Sequence, residues 1–432
     1  MGAYEMDLLL NTRTFATASL LVLALRAFAQ PAPTEFSPVL TLAQARAAAL
    51  RDNPALKAAE AQWEANRGAE TQAHSHLNPS LEFRREDFGG SLPAIQQAPQ
   101  DTLSVSQTFR TAGKHSAQKE AAKWASEAAR LDYQRRRLDL LAEVDSRFAE
   151  MLGTQERERL CAENLETAGE VASAVSALVD AGEVSPVESS RADNDRDLAE
   201  IDLENARRDV EVTRRELARL LGQEEPRFAR AEGTLAEEAA FPDAASASNA
   251  LQSLPDLARW DAETRRLESS LRLAKRSPWP DLSFAVGVRK YTTTQERTYV
   301  AGIAFPLPIF NRERGAIVEA SARLDQGLLE RQAEEVRLKN ALTSARLVLE
   351  RAIAEVRTLK GRVLPNAHKI FEALNEGYLR GKFRLLDLLE ARRSLASVRL
   401  RYVDSLVRLN TAKAHLERLL ATAKDLTDGA KP

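Results

Sequence analysis

The sequence is poor in cysteine and in aromatic residues. Cys161 is the only cysteine among 432 residues, which excludes a disulfide or a CxxC metal or redox motif within the chain. Aromatic residues make up 6% of the chain, a low share for a compact enzyme and one typical of long helices rich in alanine, leucine, glutamate and arginine. With 61 basic and 63 acidic residues, the chain lacks the basic excess of a nucleic-acid-binding protein.

Sequence motifs of several enzyme classes are also missing. The chain has no GxSxG elbow, no GxGxxG fingerprint, no Walker-type loop and no HExxH pair. We therefore predict that it is not an enzyme and binds no cofactor. Nucleic acid is not an expected partner either.

Long apolar runs are confined to the N-terminus. No other segment approaches the roughly 18–20 apolar residues that a membrane-spanning helix needs. Residues 15–25 form a shorter apolar run, followed by the small-x-small sequence Ala27-Phe28-Ala29, which is typical of a signal-peptidase site. We predict a signal peptide at residues 1–29, with a mature chain that begins near Gln30 and carries no N-terminal lipid.

Four stretches contain no proline and almost no glycine: 114–152, 187–221, 382–428, and 316–360, whose only glycine is Gly327. As helices they would be about 50–70 Å long at about 1.5 Å per residue, which favours coiled-coil-like packing. Apolar residues recur every seven positions in two of these stretches, as expected for such packing. They are Leu203, Val210 and Leu217 in one, and Leu395, Tyr402, Leu409 and Leu416 in the other.

The two heptad series are related by a constant shift. Adding 199 to Leu203 gives Tyr402, and the same shift takes Gly182 to Gly381; a shift of 201 takes Pro79 to Pro280. This self-similarity predicts an internal duplication. The first structural repeat spans 30–221, a linker 222–248, the second repeat 249–420, and a polar tail 421–432.

Each repeat contains a pair of segments with alternating apolar residues, a period of two that predicts strands with one apolar face. In the second repeat the apolar positions are Leu282, Phe284, Val286 and Val288. Each repeat is therefore predicted to contain a helix, a pair of strands and a long helical hairpin, in that order. Four strands cannot close a barrel alone, and open sheet edges are not tolerated in lipid, whereas three chains would supply twelve strands.

The order of the local motifs resembles the TolC family of outer-membrane efflux proteins. The matching segments are Asn53-Pro54, Asn78-Pro79-Ser80-Leu81, Ser106-Gln107-Thr108-Phe109, Pro306-Leu307-Pro308-Ile309-Phe310 and the turns at Gly182 and Gly381. The sequence Gln107-Thr108-Phe109, followed by Ala112-Gly113-Lys114, is similar to the CzcC-like branch of heavy-metal efflux systems.

The resemblance implies an α+β membrane protein. Its fold would be a trimeric 12-stranded outer-membrane β-barrel, with four strands per chain, continued by a long α-helical coiled-coil tunnel in the periplasm. Its function would be that of the outer-membrane channel of a tripartite RND-type efflux system, with a periplasmic adaptor and an inner-membrane RND pump as partners. Heavy-metal cations and drugs or other organic molecules remain alternative substrates. A periplasmic adaptor and a structural coiled coil remain alternative functions, although an adaptor has a single hairpin.

The resemblance also implies three groups of functional residues. Asp387 and Glu390 would line the periplasmic aperture, although acids in a first helical turn are also favoured by the helix dipole alone. The tip residues Gly182, Glu183, Gly381 and Lys382 would contact the adaptor, or simply form helix-ending turns. The strand residues Leu282, Phe284, Val286 and Val288 would face lipid, or the inside of a soluble sheet.

His74 and His76 are too few to predict a metal site, because His115, His368 and His415 lie in other segments.

Overall fold

The computed structural model describes residues 39–88, 99–239 and 254–420. The predicted signal peptide (1–29), the polar tail (421–432) and part of the predicted linker (240–248) lie outside the described residues. No helix in the described part of the chain is long and apolar enough to cross a membrane.

Helices make up most of the described chain. They are α1 (Leu42–Asp52), α2 (Pro54–His74), α3 (Lys114–Asp180), α4 (Pro186–Leu220), α5 (Pro255–Arg276), α6 (Arg314–Thr358), α7 (Leu364–Leu379) and α8 (Leu385–Leu420). A π-helical turn, Leu359–Val363, joins α6 to α7. The strands are β1 (Val39–Thr41), β2 (Ser80–Glu86), β3 (Gln100–Phe109), β4 (Arg230–Glu232), β5 (Leu282–Tyr291) and β6 (Arg297–Ala304).

Four strands form one antiparallel sheet in the order β2-β3-β5-β6. The two predicted strand pairs are present as β2–β3 and β5–β6. They are joined by β3 and β5, with Val105 opposite Val286 and Phe109 opposite Leu282. One sheet thus combines strands from both halves of the chain.

A second, two-stranded sheet was not indicated by the sequence. Strand β1 pairs in parallel with β4, which lies inside the predicted linker. Phe228 and Ala231 of this segment are only 2% and 3% exposed and belong to the main hydrophobic core. This part of the linker is therefore packed against the first half of the chain, whereas Leu235 and Ala239, further along it, pack against α6 and α8 of the second half.

Helix α3 has 67 residues, which makes it about 100 Å long at about 1.5 Å per residue. It continues past residue 152, where the glycine-free stretch ends, through Gly153 and Gly169. A Cβ at Gly153 would overlap the side chain of Val407 on α8. This glycine therefore permits close packing of two helices and does not end one.

The heptad positions are the buried seams of the helical hairpins. Leu203 and Leu217 of α4, and Leu395, Leu409 and Leu416 of α8, are all buried. Ser405, a polar residue of α8 close to this seam, is also fully buried, and its hydroxyl donates a hydrogen bond to the Tyr402 carbonyl at 2.7 Å. The predicted packing of long helices through these seams is confirmed.

Candidate functional site

The turn between α3 and α4 is a helix-ending motif that requires glycine. Gly182 has φ +74°, a conformation that other residues adopt at an energetic cost. Its N–H donates to the Val179 carbonyl at 2.9 Å, and the Glu183 N–H donates to the Leu178 carbonyl at 2.9 Å. These are the two hydrogen bonds of a Schellman motif.

The turn between α7 and α8 has the same geometry. Gly381 has φ +68°, its N–H donates to the Tyr378 carbonyl at 2.8 Å, and the Lys382 N–H donates to the Gly377 carbonyl at 2.9 Å. The ring of Phe383 lies against Gly377, where a Cβ would leave no room for it. Each hydrogen bond is displaced by 199 residues from its counterpart in the first turn.

Both turns lie at the same end of the molecule, which we call the tip. A single hydrophobic cluster beneath them combines residues of α3 and α4 with residues of α7 and α8. Its buried members are Val171, Ala172, Val175, Ala192, Tyr378, Leu385, Leu388 and Leu389. The structure thus brings the predicted residues Gly182, Glu183, Gly381 and Lys382 together.

Above the tip cluster, a buried charged network connects three helices. Arg392 of α8 pairs with Asp195 of α4, and their side chains are 4% and 3% exposed. The Nη1 of Arg392 also donates to the backbone carbonyl of Asn164 on α3 at 3.0 Å. Arg393 Nε donates to the second oxygen of Asp195 at 2.6 Å. Sequence reasoning missed this network, because a single arginine in a helix rich in arginine gives no signal.

The two predicted aperture residues differ in their surroundings. Asp387 is partly exposed, and its carboxylate accepts a hydrogen bond from the backbone N–H of Arg384 at 3.3 Å. This contact at the start of α8 is the one expected of an acid that caps a helix. Glu390 lies one turn further along and is exposed.

Another acid near the tip, Glu188, is partly buried. Glu188, in the first turn of α4, has a carboxylate oxygen that is buried without a hydrogen-bond partner in the described chain, as is the hydroxyl of Tyr378. Burial raises the pKa of Tyr378, and the charge of Glu188 raises it further. These polar atoms mark the tip as a place where buried polar groups are incompletely satisfied.

The four-stranded sheet has one apolar and one polar face. Phe284, Val286 and Val288 are exposed, and Leu282 is partly exposed. The strand register adds exposed neighbours to the same face: Leu81, Phe83, Leu103, Val105, Phe109, Tyr299 and Ile303. On the opposite face, hydroxyl pairs join the strands, such as Thr108 Oγ1 and Ser283 Oγ at 2.8 Å.

The helices beside the sheet follow the order of its strands. Helix α2 packs on α3, α3 on α5, and α5 on α6, which parallels β2-β3-β5-β6. Within the described chain, β2 and β6 each pair with one strand and leave an open edge. The outer helices carry exposed apolar side chains, which are Leu198, Ile201 and Val212 on α4, and Val318, Leu329, Val336 and Leu347 on α6.

Two histidines from separate segments meet where the sheet joins the helices. The ring centroids of His76 and His115 lie 4.8 Å apart, and the rings are tilted by 31°. His115 lies in a different segment from His76, and the turn after β3 returns the start of α3 to the end of α2. Among the described residues, no group of three or more His, Cys, Asp or Glu side chains is arranged to hold a metal ion.

A sheet with an exposed apolar face, joined to two long helical hairpins with a common tip, is the fold of an outer-membrane channel subunit. The structure of the outer-membrane channel OprN has this fold: it superposes with a TM-score of 0.77 at 21% identity, over 89% of this chain and 90% of that one. A sequence model of the family described as "Outer membrane efflux protein" matches residues 45–223 and 247–422. The chain belongs to this family.

Two curated relatives are similar over much of the chain. The cobalt-zinc-cadmium resistance protein CzcC of Cupriavidus metallidurans is 31% identical over 90% of this chain and 91% of its own. The nickel and cobalt resistance protein CnrC of the same organism is 27% identical over 71% of each. The chain is thus an outer-membrane efflux protein, and the alternatives of an adaptor or a structural coiled coil are not supported.

Proposed function

We propose that the chain is the outer-membrane channel subunit of a tripartite RND-type efflux system that exports divalent heavy-metal cations. The cargo is inferred from the relatives, whose names record resistance to cobalt, zinc, cadmium and nickel. The observation that carries the channel proposal is the four-stranded sheet, which has an exposed apolar face and two open edges.

Three copies of the chain would pair the open edges of their sheets with one another. An open edge in lipid leaves backbone groups without hydrogen bonds, so the β6 edge of one copy must pair with the β2 edge of the next. Contacts of this head-to-tail kind close into rings. Three copies give a barrel of twelve strands, an even number as in bacterial barrels, with the apolar face towards lipid.

The helices support the same arrangement. Because helix order follows strand order, α6 of one copy would lie beside α2 of the next, and α7 beside α4. The exposed apolar side chains of α4 and α6 would then be covered by a neighbouring copy. The equal turns at the two hairpin ends, and the two matches of one family model, support the internal duplication.

The tip lies about 100 Å from the sheet along α3, which is long enough to cross much of the periplasm. A periplasmic adaptor would bind here, at Gly182, Glu183, Gly381 and Lys382, and would connect the channel to the inner-membrane RND pump. Three copies would place Asp387 and Glu390 around one axis at the periplasmic aperture, where rings of acids favour cations.

Growth of a metal-sensitive Gram-negative host tests this function. The chain is expressed with its pump and adaptor, and the lowest inhibitory concentrations of Co²⁺, Zn²⁺, Cd²⁺ and Ni²⁺ are compared with those of organic drugs. We expect increased tolerance to the cations alone. The Val286→Arg variant, which disrupts the lipid face, is the control and should give no tolerance. Tolerance to drugs without tolerance to any cation would contradict the proposed cargo.

A further inference from the structure

The chain has five histidines, and two of those furthest from the tip touch one another. We propose that His76 and His115, the junction histidine pair, bind one divalent transition-metal ion weakly, with water as the remaining ligands. This inference rests on the proposed function, since the ion would be the exported cargo and not a resident cofactor.

The separation of the two rings suits a shared ion. With a metal–nitrogen distance of about 2.0–2.1 Å, a ring centre lies about 3.2 Å from the metal, so two rings lie about 4.5 Å apart in octahedral and about 5.2 Å apart in tetrahedral coordination. The observed 4.8 Å falls between these values. Imidazole binds zinc, nickel and copper alike. We therefore expect the pair to bind divalent transition-metal ions as a class and not to select one metal.

A metal ion binds an imidazole through a ring nitrogen that carries no proton. Arg110 Nη1 lies 3.4 Å from His115 Nδ1, and an ion bound at that nitrogen would replace this long hydrogen bond.

A third histidine, His74, is held in one orientation by a hydrogen bond within α2. The Nδ1 of His74 lies 2.8 Å from the Glu70 carbonyl, which can only accept, so Nδ1 is the donor in this hydrogen bond. His74 lies two residues before His76, at the end of α2.

The positive charges beside His115 weaken the site. A cation held by two imidazoles beside Arg110 and Lys119 is repelled by both. A channel benefits from such weakness, because an ion must leave a conduit as readily as it enters. Arg110 lies two residues after Thr108, which is on the polar face of β3, and it also contacts His115. The junction histidine pair is therefore adjacent to the polar face of the sheet.

Residue-specific labelling of the full trimer in detergent tests the site. The purified protein is treated with diethylpyrocarbonate, which modifies neutral imidazole, with and without Zn²⁺ or Co²⁺, and each histidine is quantified by mass spectrometry. His368 and His415 are exposed and serve as internal controls. We expect the metal to protect His76 and His115 at least fivefold and to leave both controls unchanged.

Binding is then measured by calorimetry with Zn²⁺ or Co²⁺ alone. The His76→Gln, His115→Gln double variant should lose at least tenfold in affinity, and His368→Gln should match the wild type. Equal protection of all histidines, or equal affinity of the double variant and the wild type, would overturn the site and leave a ring contact only. The growth assay of the proposed function is independent: cation tolerance without protection of the pair rejects the site but not the cargo.

Discussion

Arg392 and Asp195 form an ion pair inside the helical bundle, where 4% and 3% of their side chains remain exposed. The pair and the hydrogen bond to Asn164 join α3, α4 and α8, so it fixes the second hairpin against the first. The attraction of a buried pair is offset by the desolvation of both charges. Its importance appears when one partner is removed, because the other is then buried and unpaired.

The first prediction concerns this pair. Asp195→Asn should lower the free energy of unfolding by about 3–5 kcal/mol, the cost of leaving a buried charge without its partner. The melting temperature in detergent, followed by tryptophan fluorescence, measures the effect. Asp197→Asn is the control, because Asp197 is 58% exposed beside Arg196 on the same helix and should contribute at most about 1 kcal/mol. Similar melting temperatures for both variants would show that the pair is not a structural link.

The second prediction concerns the apolar face of the sheet. Val286→Arg should prevent insertion into liposomes, because arginine near the bilayer midplane costs about 2–4 kcal/mol. Phe284→Arg should act in the same way. Ser283→Arg, on the opposite face, is the matched control and should insert, since that face is polar in the proposed barrel. Protection from protease in liposomes distinguishes the variants, and equal loss in all three would mean that the face does not meet lipid.

The strand pairs and the buried seams of the helices were predicted correctly, because each follows from a regular local spacing of apolar residues. This spacing did not predict contacts that depend on the path of the chain. The pairing of β3 with β5 joins residues about 180 positions apart, and β4 is a three-residue strand within a polar segment. The meeting of His76 with His115 depends on a sharp turn with positive φ at Ala112 and Gly113. The tip glycines were found because a helix-ending glycine leaves a local signal.

The third prediction separates two glycines of α3 that the sequence alone cannot tell apart. Gly153→Ala should destabilise the protein by about 1–3 kcal/mol, because the new methyl overlaps Val407 on α8. Gly169→Ala meets no atom within 4 Å and should stabilise the helix by about 0.5–1 kcal/mol. Melting temperatures should therefore shift in opposite directions. Adding Val407→Ala to Gly153→Ala should recover part of the loss; no recovery would place the strain elsewhere.

The fourth prediction concerns the adaptor at the tip. The Glu183→Lys, Lys382→Glu double variant should weaken adaptor binding while the melting temperature stays unchanged, since both residues are exposed. Surface plasmon resonance with the purified adaptor measures this. Glu64→Lys on α2, exposed and remote from the tip, is the control and should bind normally. Gly182→Ala should instead lower stability by about 1–2 kcal/mol, because only glycine adopts its φ of +74° without cost. Normal adaptor binding by the double variant would exclude these charges from the contact.

The last prediction concerns the aperture. Asp387 is compatible with two roles. Within one chain, its carboxylate caps α8 by accepting a hydrogen bond from the Arg384 backbone N–H. In a trimer, three copies of Asp387 and Glu390 would form a ring of acids. The capping role predicts that the Asp387→Asn, Glu390→Gln double variant loses about 0.3–1 kcal/mol of stability per acid and keeps its channel properties. The aperture role predicts a loss of cation preference, because a ring of acids attracts cations. It also predicts a changed conductance, because the like charges repel one another across the entrance and their removal changes how it opens.

Planar bilayer recordings and melting temperatures on the same double variant distinguish these roles. The control is Asp197→Asn, Glu200→Gln, which removes the same charge from exposed positions of α4 and should leave selectivity unchanged. We expect the aperture variant to lose cation selectivity to a greater extent than the control. If both double variants show the selectivity of the wild type, Asp387 and Glu390 act on the helix alone. Equal loss in both would point to the net charge of the tip and not to a ring, because only residues 387 and 390 are proposed to face the axis.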